Sequence, residues 1–170
     1  KIGTPQPLFQ TLSSDFIKGW QKKFAGKEKF PLDLKVGQIE EAEDLAESKY
    51  KLSVNIGNIK KQIVAGIKQF YPTAQELIGK KVILVCNLKH AKRSGVKSEG
   101  MLLTAKKQDG EIILLKPSDD NTPLGAACVP DGLELDIQVL SGKPLEAALK
   151  GLSTNDNSSV HFKSYSLCIG

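Results

Sequence analysis

The sequence predicts a mainly-β protein whose central part closes into a small barrel of five or six strands, and three observations carry that expectation. Tyr50, Leu52, Val54 and Ile56 alternate with Lys51, Ser53 and Asn55, the period-2 pattern of a half-buried strand. Further apolar runs at 61–67, 81–88, 101–105 and 111–116 follow at short intervals, each bounded by turn chemistry. Only one short helix is expected among them. Strands so arranged need closure, because closure removes exposed edges.

Taken in chain order, the elements are these. Residues 13–24 open with N-cap candidates and place Phe16, Ile17, Trp20 and Phe24 at helical spacing, which predicts one amphipathic helix. The polar stretch 25–31, with Gly26 and Pro31, reads as a linker. From Leu32 the period changes to that of strands. Residues 72–79 read as a short helix with Pro72 at its start and Gly79 at its end. Asp109-Gly110 is a hairpin signal between the runs 101–105 and 111–116. After Pro130-Asp131-Gly132, residues 133–140 predict another strand, 143–152 a helix, and 160–167 a last alternating strand. The domain organisation expected is a helical tail or linker over 1–30, a barrel over 31–130 and a C-terminal subdomain over 131–170.

The 170 residues, with 40% hydrophobic and 25% charged content, describe a folded globular chain. No apolar run approaches the roughly 20 residues that cross a bilayer, and no signal-peptide pattern opens the chain. The opening reads as a fragment cut from a longer polypeptide. Cys86, Cys128 and Cys168 are widely spaced, and neither His90 nor His161 stands at metal-ligand spacing from them, so no metal and no other cofactor is expected. Cytoplasmic residence fits best.

The net charge of +5 is unevenly spread. Between Lys80 and Lys107 lie eight cationic residues against one anion, Glu99, whereas Glu40, Glu41, Glu43, Asp44 and Glu47 form an acidic run. The segment 87–101 holds Lys89, His90, Lys92, Lys97 and the chain's only arginine, Arg93. It can be read as a solvated basic turn. It can also be read as a loop bordering a nucleic-acid groove, with Arg93 gripping a phosphate or stacking on an unpaired base and the lysines acting as point charges. An enzymatic nucleotide loop is a third reading. It lacks the βαβ alternation, Walker loop or G-x-S-x-G motif that would give it context.

The sequence from Leu32 to Gly66, with "LDLKVG" at its start, and the block "NLKHAKRSGVKSEGM" at 87–101 resemble a known family. It is the tRNA-binding domain shared by endothelial monocyte-activating polypeptide II, extensions of several aminoacyl-tRNA synthetases and free-standing tRNA-binding proteins. The end of the chain resembles the cytokine-type branch of that family, so the likeness covers about residues 32–170. It implies an oligonucleotide-binding (OB-fold) five-stranded barrel with a C-terminal subdomain that imitates a dimer interface, leaving the protein a monomer. It also implies binding of tRNA by shape, without strong sequence preference and without catalysis by this region. The motif's positions are Asn87, Lys89, Lys92, Arg93, Lys97, Ser98, Glu99 and Met101. On physical grounds Lys89, Lys92, Arg93 and Lys97 are expected to meet phosphates, while Asn87 and Ser98 are expected to orient backbone or sugar contacts. Glu99 fixes a neighbouring lysine or an amide, and Met101 packs under the groove floor. The sequence departs from the family pattern at several positions: Asp44-Leu45 stands for His-Pro, Lys49 for Leu, Ala65 for Ser and His90 for Pro.

The first 24 residues are similar to the tail of eukaryotic methionyl-tRNA synthetases, where an IG-x-x-x-PLF phrase occurs. The leading expectation for the parent is a methionine–tRNA ligase, in which this region raises tRNA affinity and other synthetase-complex proteins are further partners; another synthetase or a free tRNA-binding cofactor are the alternatives. The competing expectation is a cytokine-like signalling domain acting through residues 35–41, "KVGQIEE".

Overall fold

The computed structural model describes residues 28–154, 159–163 and 165–169. The amphipathic segment expected at 13–24 lies outside the described residues.

The chain runs through β1 (Lys29–Phe30), β2 (Leu34–Ala46), β3 (Lys49–Asn55), β4 (Lys60–Ala65), a 3-10 turn (Ala74–Glu76) and β5 (Lys81–Val85). Then come β6 (Ala91–Arg93), β7 (Val96–Ser98), β8 (Met101–Leu102), β9 (Thr104–Lys106) and β10 (Ile112–Leu114). The C-terminal part holds β11 (Cys128–Pro130), β12 (Glu134–Leu135), α1 (Gly142–Lys150), β13 (Leu152–Thr154), β14 (Val160–Phe162) and β15 (Tyr165–Ile169). The main sheet has five strands in the order β4-β3-β2-β5-β8. It is curled into the OB-like barrel that the alternation predicts. Bulges in β2 between Ile39 and Glu41 and between Asp44 and Ala46 help bend it.

The period-2 pattern explains two cores. Inside the barrel, Tyr50, Leu52 and Val54 of β3 pack with Ile63 of β4 and with Val82 and Leu84 of β5. On the other face of the sheet, Leu34, Val36, Ile83 and Val85 pack with Phe30, Cys128, Ala148 and Phe162. Both faces of β5 are thus buried, which is why its sequence is a continuous aliphatic run. Only one face of β3 is buried, so its sequence alternates.

The second core corrects the described end, residues 28–31, of the linker expected at 25–31. Phe30 is fully buried and meets Phe162 edge-on, with ring centroids 4.8 Å apart. β1 pairs in parallel with β12, so the chain is anchored before the barrel begins.

Four other expectations need correction. The helix expected at 72–79 is only the 3-10 turn, because buried Leu77 plugs the barrel and Gly79, at φ +83°, turns the chain to bond the Ile39 carbonyl at 2.7 Å. The run 101–105 breaks at Leu103: Leu102 faces the inner core and Leu103 the outer one. The strand expected at 133–140 is reduced to β12, since it finds no long edge to pair with, and Val139 is left 74% exposed. The strand expected at 160–167 is a hairpin that reverses at Lys163, φ 55°, and this seats Phe162 in the outer core. The Asp109-Gly110 turn does join β9 to β10.

The barrel closes where β7 runs into β8. The β4 amides that face away from β3 are met there: Val64 N–H donates to Ser98 Oγ at 3.1 Å and Gln62 N–H to Glu99 Oε2 at 3.2 Å. Glu99 N–H returns a bond to the Gln62 carbonyl at 2.9 Å, and Gln62 Nε2 donates to the Lys97 carbonyl at 2.7 Å. Gly100 lets the crossing pass close, for a Cβ there would lie 2.7 Å from the Val85 carbonyl oxygen. Gly100→Ala is therefore expected to cost about 1–3 kcal/mol of stability by overpacking against backbone. A urea unfolding midpoint equal to wild type would show that the crossing has slack.

Candidate nucleic-acid interface

The basic segment 87–101 is not a plain loop. β6 and β7 form an antiparallel hairpin in the register Ala91–Ser98, Lys92–Lys97 and Arg93–Val96. Ser94 and Gly95 make its two-residue turn with φ of 49° and 81°, the primed geometry that suits strand twist. Residues opposite one another in such a hairpin share a face. The cations are therefore sorted. Arg93 and Ala91 look into a cleft, while Lys92 and Lys97 stand together on the outer face.

The like charges of Lys92 and Lys97 oppose one another across the strands, an unfavourable pair in isolation. Glu99 relieves it, its Oε1 lying 2.8 Å from Lys97 Nζ. That hydrogen bond, followed by the one from the Gln62 amide, holds the Glu99 carboxyl below the usual carboxylate range. Glu99 thus fixes both a lysine and a backbone amide, as anticipated from its charge.

The cleft lies between the hairpin, the end of β4 and the start of α1, and encloses about 610 Å³. Lys49, Lys89, His90 and Arg93 line it, and among the described residues no carboxylate does. Lys49, at the head of β3, donates to Ser94 Oγ at 3.1 Å, joining β3 to the hairpin tip. Sequence reasoning noted Lys49 as a departure from pattern but did not place it in the site. The available signal was a cation at the head of an alternating strand.

Asn87 and Ser98 do not face outward. Asn87 is buried; its Nδ2 donates to the carbonyls of Pro31 at 2.7 Å and Gln138 at 2.8 Å, and its Oδ1 accepts from the Asp33 amide at 2.9 Å. Ser98 is buried and, besides accepting from Val64, donates to the Gly100 carbonyl at 3.1 Å. These two residues hold the hairpin on the barrel. Met101 is half-buried against the outer core.

Three members of the acidic run pair with lysines: Glu40 with Lys60 at 2.6 Å, Glu43 with Lys51 at 2.8 Å and Asp44 with Lys68 at 2.6 Å. Burial pushes the thiols of Cys86 and Cys128 up to about 11, which keeps both protonated at neutral pH. Among the described residues no group of His, Cys, Asp and Glu could hold a metal, and no helix is long and apolar enough to cross a membrane.

A curled five-stranded barrel with a cationic hairpin over an apolar-floored cleft has the form of an oligonucleotide-binding module. Residues 34–127 match the family model described as "Putative tRNA binding domain", and the chain belongs to that family. It is 55% identical over 97 residues to the methionine–tRNA ligase of Methanococcus aeolicus, a match spanning 56% of this chain and 14% of that enzyme. Among solved structures, it is similar to the C-terminal domain of Plasmodium vivax p43, with TM-score 0.74 and 25% identity over 85% of this chain and 91% of that one. A MetRS related protein from Pyrococcus horikoshii aligns with TM-score 0.52 and 36% identity over 70% of this chain and 98% of that one.

The bonding of Asn87 generates a prediction. Asn87→Ala removes three hydrogen bonds that a buried side chain makes to backbone groups and is expected to lower unfolding free energy by about 1–3 kcal/mol in urea titration. An unchanged midpoint would free Asn87 for a role outside the fold.

Proposed function

We propose that this chain binds tRNA through its backbone, with Lys49, Lys89, Lys92 and Arg93 as the phosphate contacts. The observation that carries the reading is the hairpin held beside a cleft lined by Lys49, Lys89, His90 and Arg93 in a chain of the tRNA-binding family. Lys97 is engaged by Glu99 and contributes less. Asn87, Ser98, Glu99 and Met101 support the hairpin from behind. Such contacts follow the shape of an RNA backbone without reading its sequence.

The likeness to methionine–tRNA ligases supports a further step: the domain is appended to a synthetase and raises its tRNA affinity through effective concentration, leaving chemistry to the rest of that enzyme. The reading also holds for a monomer, because the outer face of the main sheet is already covered by the chain's own C-terminal strands and α1. The signalling alternative draws no support from the fold. Residues 35–41 lie in β2, where Lys35 to Gln38 pair with β5 and Gln38, Ile39 and Glu41 pair with β3.

Four phosphate contacts set a salt dependence with a log–log slope of roughly −2.8 to −3.6. In anisotropy titrations of bulk tRNA, Arg93→Ala is expected to weaken binding by about 1–3 kcal/mol across all tRNAs and to flatten the slope by about one. Lys97→Ala serves as the contrast, with a smaller loss. Salt-independent binding, or equal affinities for wild type and Arg93→Ala, would refute the assignment.

A further inference from the structure

We propose that the cleft beside the β6–β7 hairpin receives one unpaired nucleotide of the bound RNA, its base on the aliphatic floor and its phosphate on the cationic rim. The inference rests on the tRNA reading above and deepens it.

The chemistry inside the cleft is sorted. Ala65, Ile67, Leu102, Ile112 and Leu145 supply an aliphatic floor. The rim is the cationic set already described, and its charge is of one sign. The ligand that fits is flat or apolar in its body and negative at one edge. A base-paired segment offers only the second property, because its bases are stacked inside the helix. An unpaired nucleotide offers both, and its base can be splayed out to meet a surface. An uncharged apolar peptide would use the floor and leave the rim unanswered.

Size and polar equipment agree. The cleft's volume of about 610 Å³ is that of a small-molecule site, large enough for a nucleotide. Two hydroxyls line it. Ser141 stands at the N-cap of α1 yet its side chain makes no capping bond, and Thr104 is exposed on β9. Both can bond to a base edge, and hydroxyls serve as donor or acceptor, so they tolerate different bases. The small side chain at Ala65 keeps the wall open.

The test uses two RNA hairpins of the same stem and loop length, one with abasic loop nucleotides, titrated against the whole chain by anisotropy. Both carry the same phosphates, so the electrostatic term is matched. The intact loop is expected to bind about tenfold or more tightly than the abasic one. Thr104→Trp, which fills the cleft from an exposed position, is expected to abolish that difference by weakening only the intact RNA. Equal binding of the two RNAs by wild type would overturn the pocket and leave backbone binding intact, whether or not the variant folds. Failure of both RNAs to bind at low salt would overturn the tRNA reading and the pocket with it. Displacement of the intact loop by an uncharged aliphatic peptide would assign the floor to a protein ligand and also overturn the proposal.

Discussion

The arrangement depends on how the outer amides of β4 are satisfied. A five-stranded sheet that curls must either join its two edges or leave one row of N–H groups unpaired. Here the short β8 does not reach along β4, so side chains complete the junction. Ser98 and Glu99 accept from Val64 and Gln62, and Gln62 donates to the Lys97 carbonyl. The segment that closes the barrel is thus the foot of the basic hairpin. Closing the fold and aiming the cations are one event, and a defect in the first displaces the second.

A second constraint comes from β2 and β5, whose two faces serve two cores. The inner core gives the barrel its shape; the outer one recruits Phe30, the C-terminal sheet and α1. The Asn87 amide ties these together by bonding Pro31, Asp33 and Gln138, residues from both sides of the barrel sequence. Through it, the C-terminal segment comes to stand across the cleft from the hairpin. The α1 side of the cleft, with Ser141 and Leu145, is therefore built by residues remote in sequence from Lys89 and Arg93.

Much of this was legible in the sequence, for reasons that can be traced to particular residues. Alternation at 50–56 identified β3, the aliphatic run at 82–85 identified β5, and Asp109-Gly110 located a hairpin, because each signal is local. The cationic segment was also visible, since charge clustering needs no fold to be seen. What remained hidden was long-range. Phe30 sits in a polar stretch and looks like linker until Phe162 is found against it. Lys49 looks like any surface lysine until the barrel brings it to Ser94. Asn87 and Ser98 belong to the same motif as Arg93, and residue type alone does not separate contacts from supports; their buried bonding does. The reversal at Lys163 carries neither Gly nor Asn-Gly, so nothing local marks it.

The central claim is that RNA meets Lys49, Lys89 and Lys92 around Arg93, and not the lysines paired along the acidic strand. Amine-acetylation footprinting with and without tRNA, read by mass spectrometry, tests it most directly. The account predicts that Lys49, Lys89 and Lys92 lose reactivity when tRNA binds, while Lys51, Lys60 and Lys68 keep theirs. Protection centred on Lys51, Lys60 and Lys68, with Lys49 and Lys89 still reactive, would contradict it.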